Sequence, residues 1–290
     1  MSHYYSNVLW LGAHKTGTTF LQKSLERSLP KLCAKGVNYL PLQRFRDEIT
    51  RPLLYHDHAR LPKAPPRQSG TRNIYFDENI PALVQDALLP WGVYPEGAER
   101  ALRISRFLEL ERPALVLGIR NFTEFLPALY CEALKSTPFQ SFARFLKTPL
   151  NNLRWTPLVE SLCHGFPNSS ILIYRAEDLR GNERILLADI CGCEAADIDL
   201  LSEPERRSFS QQAISYLYAL SQTRPVTFQD VGEAAETFPR NSLNSRFLPW
   251  DAAEVTLFDQ LYKSDWAEIA QLPQVQLWRP PSSRSAEAPS

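Results

Sequence analysis

The chain has 290 residues, 44% of them hydrophobic and 22% charged, which is enough apolar material for one large α/β domain with a substantial core. Thirty-two basic residues balance 32 acidic ones, so a chain-wide basic surface for nucleic acid or membrane is excluded and a local anion pocket is not. The five cysteines, Cys33, Cys131, Cys163, Cys191 and Cys193, are odd in number and lack the paired spacing of a disulfide framework or zinc site, so reduced thiols and no bound metal are expected.

The N-terminal residues MSHYYSNVLWLGAHK show no basic region followed by an apolar run, and no stretch approaches the roughly 18 apolar residues of a membrane span. A cytoplasmic protein is expected. Short apolar runs bounded by turn residues at 7–11, 37–40, 73–76, 114–119 and 170–174 predict strands. Helical periodicity falls between several of them, at 17–28, 98–109, 122–134, 157–164 and 183–191. That alternation predicts an α/β fold with a doubly wound parallel sheet covered by helices on both faces. Two further helices, 211–222 and 251–263, follow the last clear strand and predict a helical C-terminal cap. The proline-rich stretch 62–72 is expected to be a loop. Residues 1–278 are taken as one domain, and 279–290, RPPSSRSAEAPS, as a disordered tail.

The strand Val8-Leu9-Trp10-Leu11 runs into Gly12-Ala13-His14-Lys15-Thr16-Gly17-Thr18-Thr19, followed by a helix with Phe20, Leu21 and Leu25 on one side. A strand, a two-glycine loop and a helix N-terminus form an anion cradle. The glycines permit tight backbone geometry, successive amide N–H groups point inward, and the helix end adds partial positive charge. A solvated turn that caps the helix is the plainer alternative. In the nucleotide-triphosphatase pattern G-x-x-x-x-G-K-[ST] the lysine follows the second glycine and reaches the β and γ phosphates. Here that position is Thr18, and the lysine lies inside the loop as Lys15.

The run HKTGTT, with Leu21 and Gln22 after it, resembles the 5′-phosphosulfate loop of the sulfotransferase family in its bacterial and glycan-modifying branches. The resemblance extends from Val8 to about Cys191. It implies a P-loop-type fold, the donor 3′-phosphoadenosine 5′-phosphosulfate with no metal, and donor contacts from His14, Lys15, Thr16, Gly17, Thr18 and Thr19. It also implies an arginine at the end of a later strand that holds the 3′-phosphate together with a serine eight residues on. Arg120 matches, and a guanidinium binds phosphate through two parallel hydrogen bonds. The serine position is Ala128, which leaves Thr123 or another element to supply the second donor. Arg120 paired with a surface carboxylate is the alternative reading. The run ILIYRAEDL, residues 171–179, resembles the family's late strand, with Glu177 and Asp178 expected to cap the helix near Asn182 or to pair with Arg180. Arg206, Arg207 and Arg240 are candidates for closing over the donor.

Sulfuryl transfer to a hydroxyl or amine needs charge stabilisation on the departing phosphate, an in-line approach, and a base. Lys15, assisted by His14, suits the first role. Two places offer a base. One is Tyr55-His56-Asp57-His58, with His58 preferred over His56, because a neutral imidazole titrates near pH 7. The other is Asp77-Glu78 at a strand end, where Glu78 is the candidate; Asp77 or Asn79 also reads as the N-cap of a helix starting at Ile80-Pro81. A small-molecule kinase and a catalytically inactive nucleotide-binding relative are the competing readings. The acceptor, a small molecule or carbohydrate, is not legible, although Tyr55, Tyr75, Trp91 and Trp155 are available for its pocket.

Overall fold

A computed structural model describes residues 6–55, 71–202 and 208–281. His56 and His58, most of the predicted loop 62–72, Arg206 and Arg207, and residues 282–290 of the predicted tail lie outside the described residues. In chain order the elements are β1 (Asn7–Trp10), α1 (Thr18–Ala34), β2 (Val37–Tyr39) and α2, a helical stretch over residues 42–54 whose middle turn, Arg46–Thr50, is π-helical. After them come β3 (Arg72–Phe76), the hairpin β4 (Leu88–Leu89) and β5 (Gly92–Val93), α3 (Gly97–Phe107) and β6 (Ala114–Ile119). The chain continues with α4 (Phe122–Ala133), α5 (Thr156–Gly165), β7 (Ile171–Arg175) and α6 (Glu183–Cys191), and closes with α7 (Gln211–Ser221), α8 (Phe228–Thr237), α9 (Ala252–Ile269) and β8 (Val275–Leu277).

Six strands form one parallel sheet in the order β2-β3-β1-β6-β7-β8. From β1 the chain crosses to the edge strand β2 and returns to set β3 between the two, then restarts at β6 on the other side of β1 and builds outward through β7 to β8. The reversal lies between β1 and β6, so the connections leaving their C-terminal ends diverge and open a crevice. All six residues of β6 are buried, as a central parallel strand covered on both faces requires. Alternate residues divide between two cores. Val8, Trp10, Ile74, Phe76, Val116 and Tyr174 face α1 and α6, with Trp10 stacked on Phe76 at 4.0 Å between ring centres. Leu9, Leu11, Leu115, Leu117, Ile171 and Ile173 face the opposite core, where Phe122, Phe125 and Trp155 pack together.

The structure departs from the sequence expectations at four places. Helix α1 continues past Pro30 to Ala34, because Leu25 and Leu32 remain buried while the proline ring faces outward. No helix starts at Ile80-Pro81; Asp77 Oδ1 instead accepts from Asn79 N at 3.0 Å in a tight turn. The C-terminal third is not a pure cap. After α9, which packs on α4 and α5, the chain returns as edge strand β8 and buries Trp278. Helices α2 and α8 were not anticipated. No helix among the described residues is long and apolar enough to cross a membrane.

Candidate anion-binding site

The loop after β1 is clamped to the neighbouring strand. Ala13 N donates to Gly118 O at 3.1 Å and Gly118 N to Gly12 O at 2.5 Å. Gly12 has φ +97°, and a Cβ there would stand 2.8 Å from the Glu78 Cβ, so both conformation and space demand glycine. Lys15 itself lies in the left-handed region at φ 61°, which presents its side chain from the top of the turn. Thr16 is fully buried and staples the loop shut, donating to Ala13 O at 2.7 Å. The Tyr174 hydroxyl supports it from β7, 3.3 Å from Thr16 Oγ1, and reaches it across Gly118, where a Cβ would lie 2.4 Å from the tyrosine ring. Gly17, at φ +86°, is the N-cap of α1, and no side chain caps that helix. Its first-turn N–H groups therefore face the loop opening without a side-chain acceptor.

Beneath the loop lies a buried polar network. His14, 5% exposed, has Nε2 at 3.1 Å from Asn79 Oδ1 and Nδ1 at 2.8 Å from the Tyr94 hydroxyl. A carbonyl oxygen only accepts, so Nε2 carries the proton and Nδ1 receives that of Tyr94. Burial holds the His14 pKa below the ordinary imidazole value, against the pull of Glu78 and Asn79. Glu78 is also buried. Gln22 Nε2 donates to its Oε2 at 2.7 Å, and Arg46 Nη2 lies 3.1 Å from its Oε1. Burial works against the charge on Glu78, but Arg46, His14 and Gln22 keep its pKa below the usual carboxylate range. Burial raises that of Asp77, which shares Arg46 at 2.8 Å.

Above the loop is a cleft of about 540 Å³, lined among others by Lys15, Gly17, Arg120, Glu124, Glu177 and Arg180. It is lined by the segments that follow the C-terminal ends of β1, β6 and β7. Arg120 follows β6, donates to Lys15 O at 2.9 Å, and pairs with Glu124 Oε2 at 2.5 Å. Glu124 Oε1 in turn accepts from Arg246 Nη1 at 2.5 Å, so one carboxylate holds two guanidiniums at the cleft edge. Burial opposes the charge on Glu124, yet the two arginines lower its pKa. Lys15 Nζ lies 3.1 Å from Glu132 Oε2 on α4, and Lys135 Nζ lies 3.0 Å from the same oxygen. A second pocket of about 310 Å³, lined by Tyr55, Leu83, Asp86 and Arg100, lies on the far side of Tyr94.

The structure thus brings Lys15, Gly17 and Arg120 to one cleft and turns His14, Thr16 and Glu78 into the protein beneath it. Thr18 is buried and Thr19 partly so. Thr123 does not face an open phosphate position: its hydroxyl donates to Asn121 Oδ1 at 2.9 Å. Glu177 and Asp178 are neither caps nor partners of Arg180. Asp178 pairs with Arg175 at 2.8 Å, while Glu177 accepts from Asn121 N and the Tyr262 hydroxyl, both at 2.9 Å. Trp155 is core, its Nε1 donating to Arg120 O at 2.9 Å, and Trp91 stands 68% exposed on the β4–β5 turn. Arg240 is exposed outside the cleft lining. The sequence reading missed Glu124, Glu132 and Arg246. The first two lie four and twelve residues after Arg120, on one helix, which is a traceable signal. Arg246 carries none, because a loop brings it across. Among the described residues, no group of three His, Cys, Asp or Glu side chains is arranged to hold a metal ion. No protein-family model matches the chain, and no curated protein matches it in sequence.

Proposed function

We propose that the chain is a P-loop-type sulfotransferase, moving a sulfuryl group from 3′-phosphoadenosine 5′-phosphosulfate to a hydroxyl or amine of a small-molecule or carbohydrate acceptor. One observation carries the reading. The loop lysine stands inside the two-glycine turn and, with Arg120, lines the 540 Å³ cleft at the uncapped start of α1. Two cations set about such an N-terminus suit a ligand bearing separate anionic groups, and the volume lies within the range of nucleotide-sized pockets. Thr18 occupies the place of the ATPase lysine, which favours a phosphosulfate over a triphosphate.

In this reading the first-turn amides of α1 and the Lys15 ammonium hold the 5′ end of the donor. Lys15 supplies positive charge where it develops on the departing phosphate. Arg120 takes the 3′-phosphate, and Arg246, tied to it through Glu124, stands in for the serine absent at Ala128. Among the proposed bases, Glu78 has its carboxylate engaged by Gln22 and Arg46 below the loop, so an imidazole from the His56–His58 stretch is the better proton acceptor. Titration calorimetry with adenosine 3′,5′-bisphosphate tests the reading. Binding without magnesium, lost in Arg120→Ala and weakened in Lys15→Ala, is expected. Failure to bind the bisphosphate overturns it, and binding of ATP that depends on magnesium favours a kinase instead.

A further inference from the structure

At the opposite end of the sheet from the cleft, α6 ends in Cys191-Gly192-Cys193. Gly192 sits at φ 66° and ψ 38°, a left-handed helix cap, and Cys193 N donates back to Ala188 O at 3.1 Å. That reversal folds Cys193 back against the last turn of the helix it has just left, two residues from Cys191. Glycine is required at the bend twice over: by its φ, and because a Cβ would stand 2.6 Å from Arg72 Nη1. Arg72 is buried at the first position of β3 and fixes the helix end by donating to Ile190 O at 2.6 Å.

The two sulfurs are not equivalent. Cys191 is buried and Cys193 is partly exposed. Interaction with the neighbouring Cys191, with help from the Lys35 and Arg72 cations, lowers the Cys193 pKa; the same interaction and burial raise that of Cys191. An accessible sulfur with thiolate character beside a shielded one is the arrangement of an attacking and a resolving cysteine. The other cysteines lack it. Burial pushes Cys131 up to about 11 and also raises Cys163, while Cys33 is exposed in the last turn of α1.

We propose that Cys191 and Cys193 form an oxidant-responsive dithiol, which a hydroperoxide converts to an intramolecular disulfide. The Cys193 thiolate attacks the terminal peroxide oxygen; the O–O bond breaks, and the leaving oxygen takes a proton and departs as water or alcohol. The Cys191 sulfur then attacks the Cys193 sulfenic acid. The S–S bond forms, the S–O bond breaks, and the hydroxyl departs with the Cys191 proton as water. Two thiols lose two electrons and the hydroperoxide gains them. This site is separate from the cleft and does not depend on the transfer reaction.

The test treats the full chain with limiting hydrogen peroxide, blocks remaining thiols with N-ethylmaleimide, and maps the peptides by mass spectrometry. The peptide holding both residues should lose two hydrogens and take no maleimide while Cys33 still does, and dithiothreitol should restore both sites. In Cys191→Ser, Cys193 should stop at a sulfenic acid that dimedone captures; in Cys193→Ser, Cys191 should keep its maleimide. Maleimide on both residues after Cys33 has been oxidised overturns the proposal, as does a disulfide that forms only between molecules. The wild-type peptide decides the matter even where a variant fails to fold.

Discussion

Glu132→Gln is the substitution that tests how Lys15 is held. In the structure Lys15 Nζ is paired with Glu132 Oε2 at 3.1 Å, the two side chains being 21% and 19% exposed. A lysine that turns to a bound anion gives up this pair. At that depth the pair contributes about 1 kcal/mol. Its loss therefore subtracts about five-fold from anion affinity, since 1.4 kcal/mol corresponds to about ten-fold. Lys135 shares the same oxygen and should gain freedom as well. Glu132→Gln is thus expected to bind adenosine 3′,5′-bisphosphate about five-fold more tightly in titration calorimetry, with the gain shrinking at high salt. In a Lys15→Ala background the gain should largely vanish. Unchanged or weaker binding by Glu132→Gln would refute the idea that this carboxylate competes for the lysine.

The other predictions concern the loop and its support. Gly12→Ala combines a left-handed φ with a 2.8 Å approach to Glu78 and should cost about 1–3 kcal/mol in urea melts; a change under half that would mean the loop relaxes freely. Arg46→Met leaves Asp77 and Glu78 buried without their guanidinium, at a cost of about 3–5 kcal/mol near pH 7. Both folded pKa values then rise above the unfolded ones, so the loss should ease as the pH is lowered, and an equal loss at pH 7 and pH 5 would contradict the account. His14 has a lowered folded pKa, so its contribution is complete above about pH 6.5 and declines below it, where the unfolded chain takes up a proton that the buried imidazole refuses. His14→Gln should flatten thermal stability between pH 7 and 5, and an unaltered slope would assign that pH dependence elsewhere. Arg246→Ala releases Glu124 to Arg120 alone and should weaken bisphosphate binding several-fold, against no change if Arg246 only braces the loop.

Much of the architecture was legible because it rests on short-range patterning. The five predicted strands appear with their ends shifted by at most one residue, and helix 183–191 is matched in full. Alternating strands and amphipathic helices bury their apolar faces in few ways, and parallel pairing follows from the crossover helices. Strand β8 escaped because Val275-Gln276-Leu277 is too short to carry a period and is recruited by the exposed edge of β7. Helix α8 was passed over although Phe228, Val231, Ala234 and Ala235 recur at helical spacing behind a capping box in which Asp230 accepts from Thr227.

At the candidate site the sequence determined the loop itself: the glycine spacing, the lysine within it, and an arginine at the end of a later strand. These are properties of neighbouring residues. Tertiary structure decided which way each side chain turns. His14, Thr16 and Glu78 read as equal members of the loop or its surroundings, yet the close approach of Tyr94, Tyr174 and Arg46 draws them downward and leaves Lys15 and Arg120 above. Glu132 and Arg246 belong to the site because α4 and a C-terminal loop are folded against it, a long-range juxtaposition that local spacing does not encode.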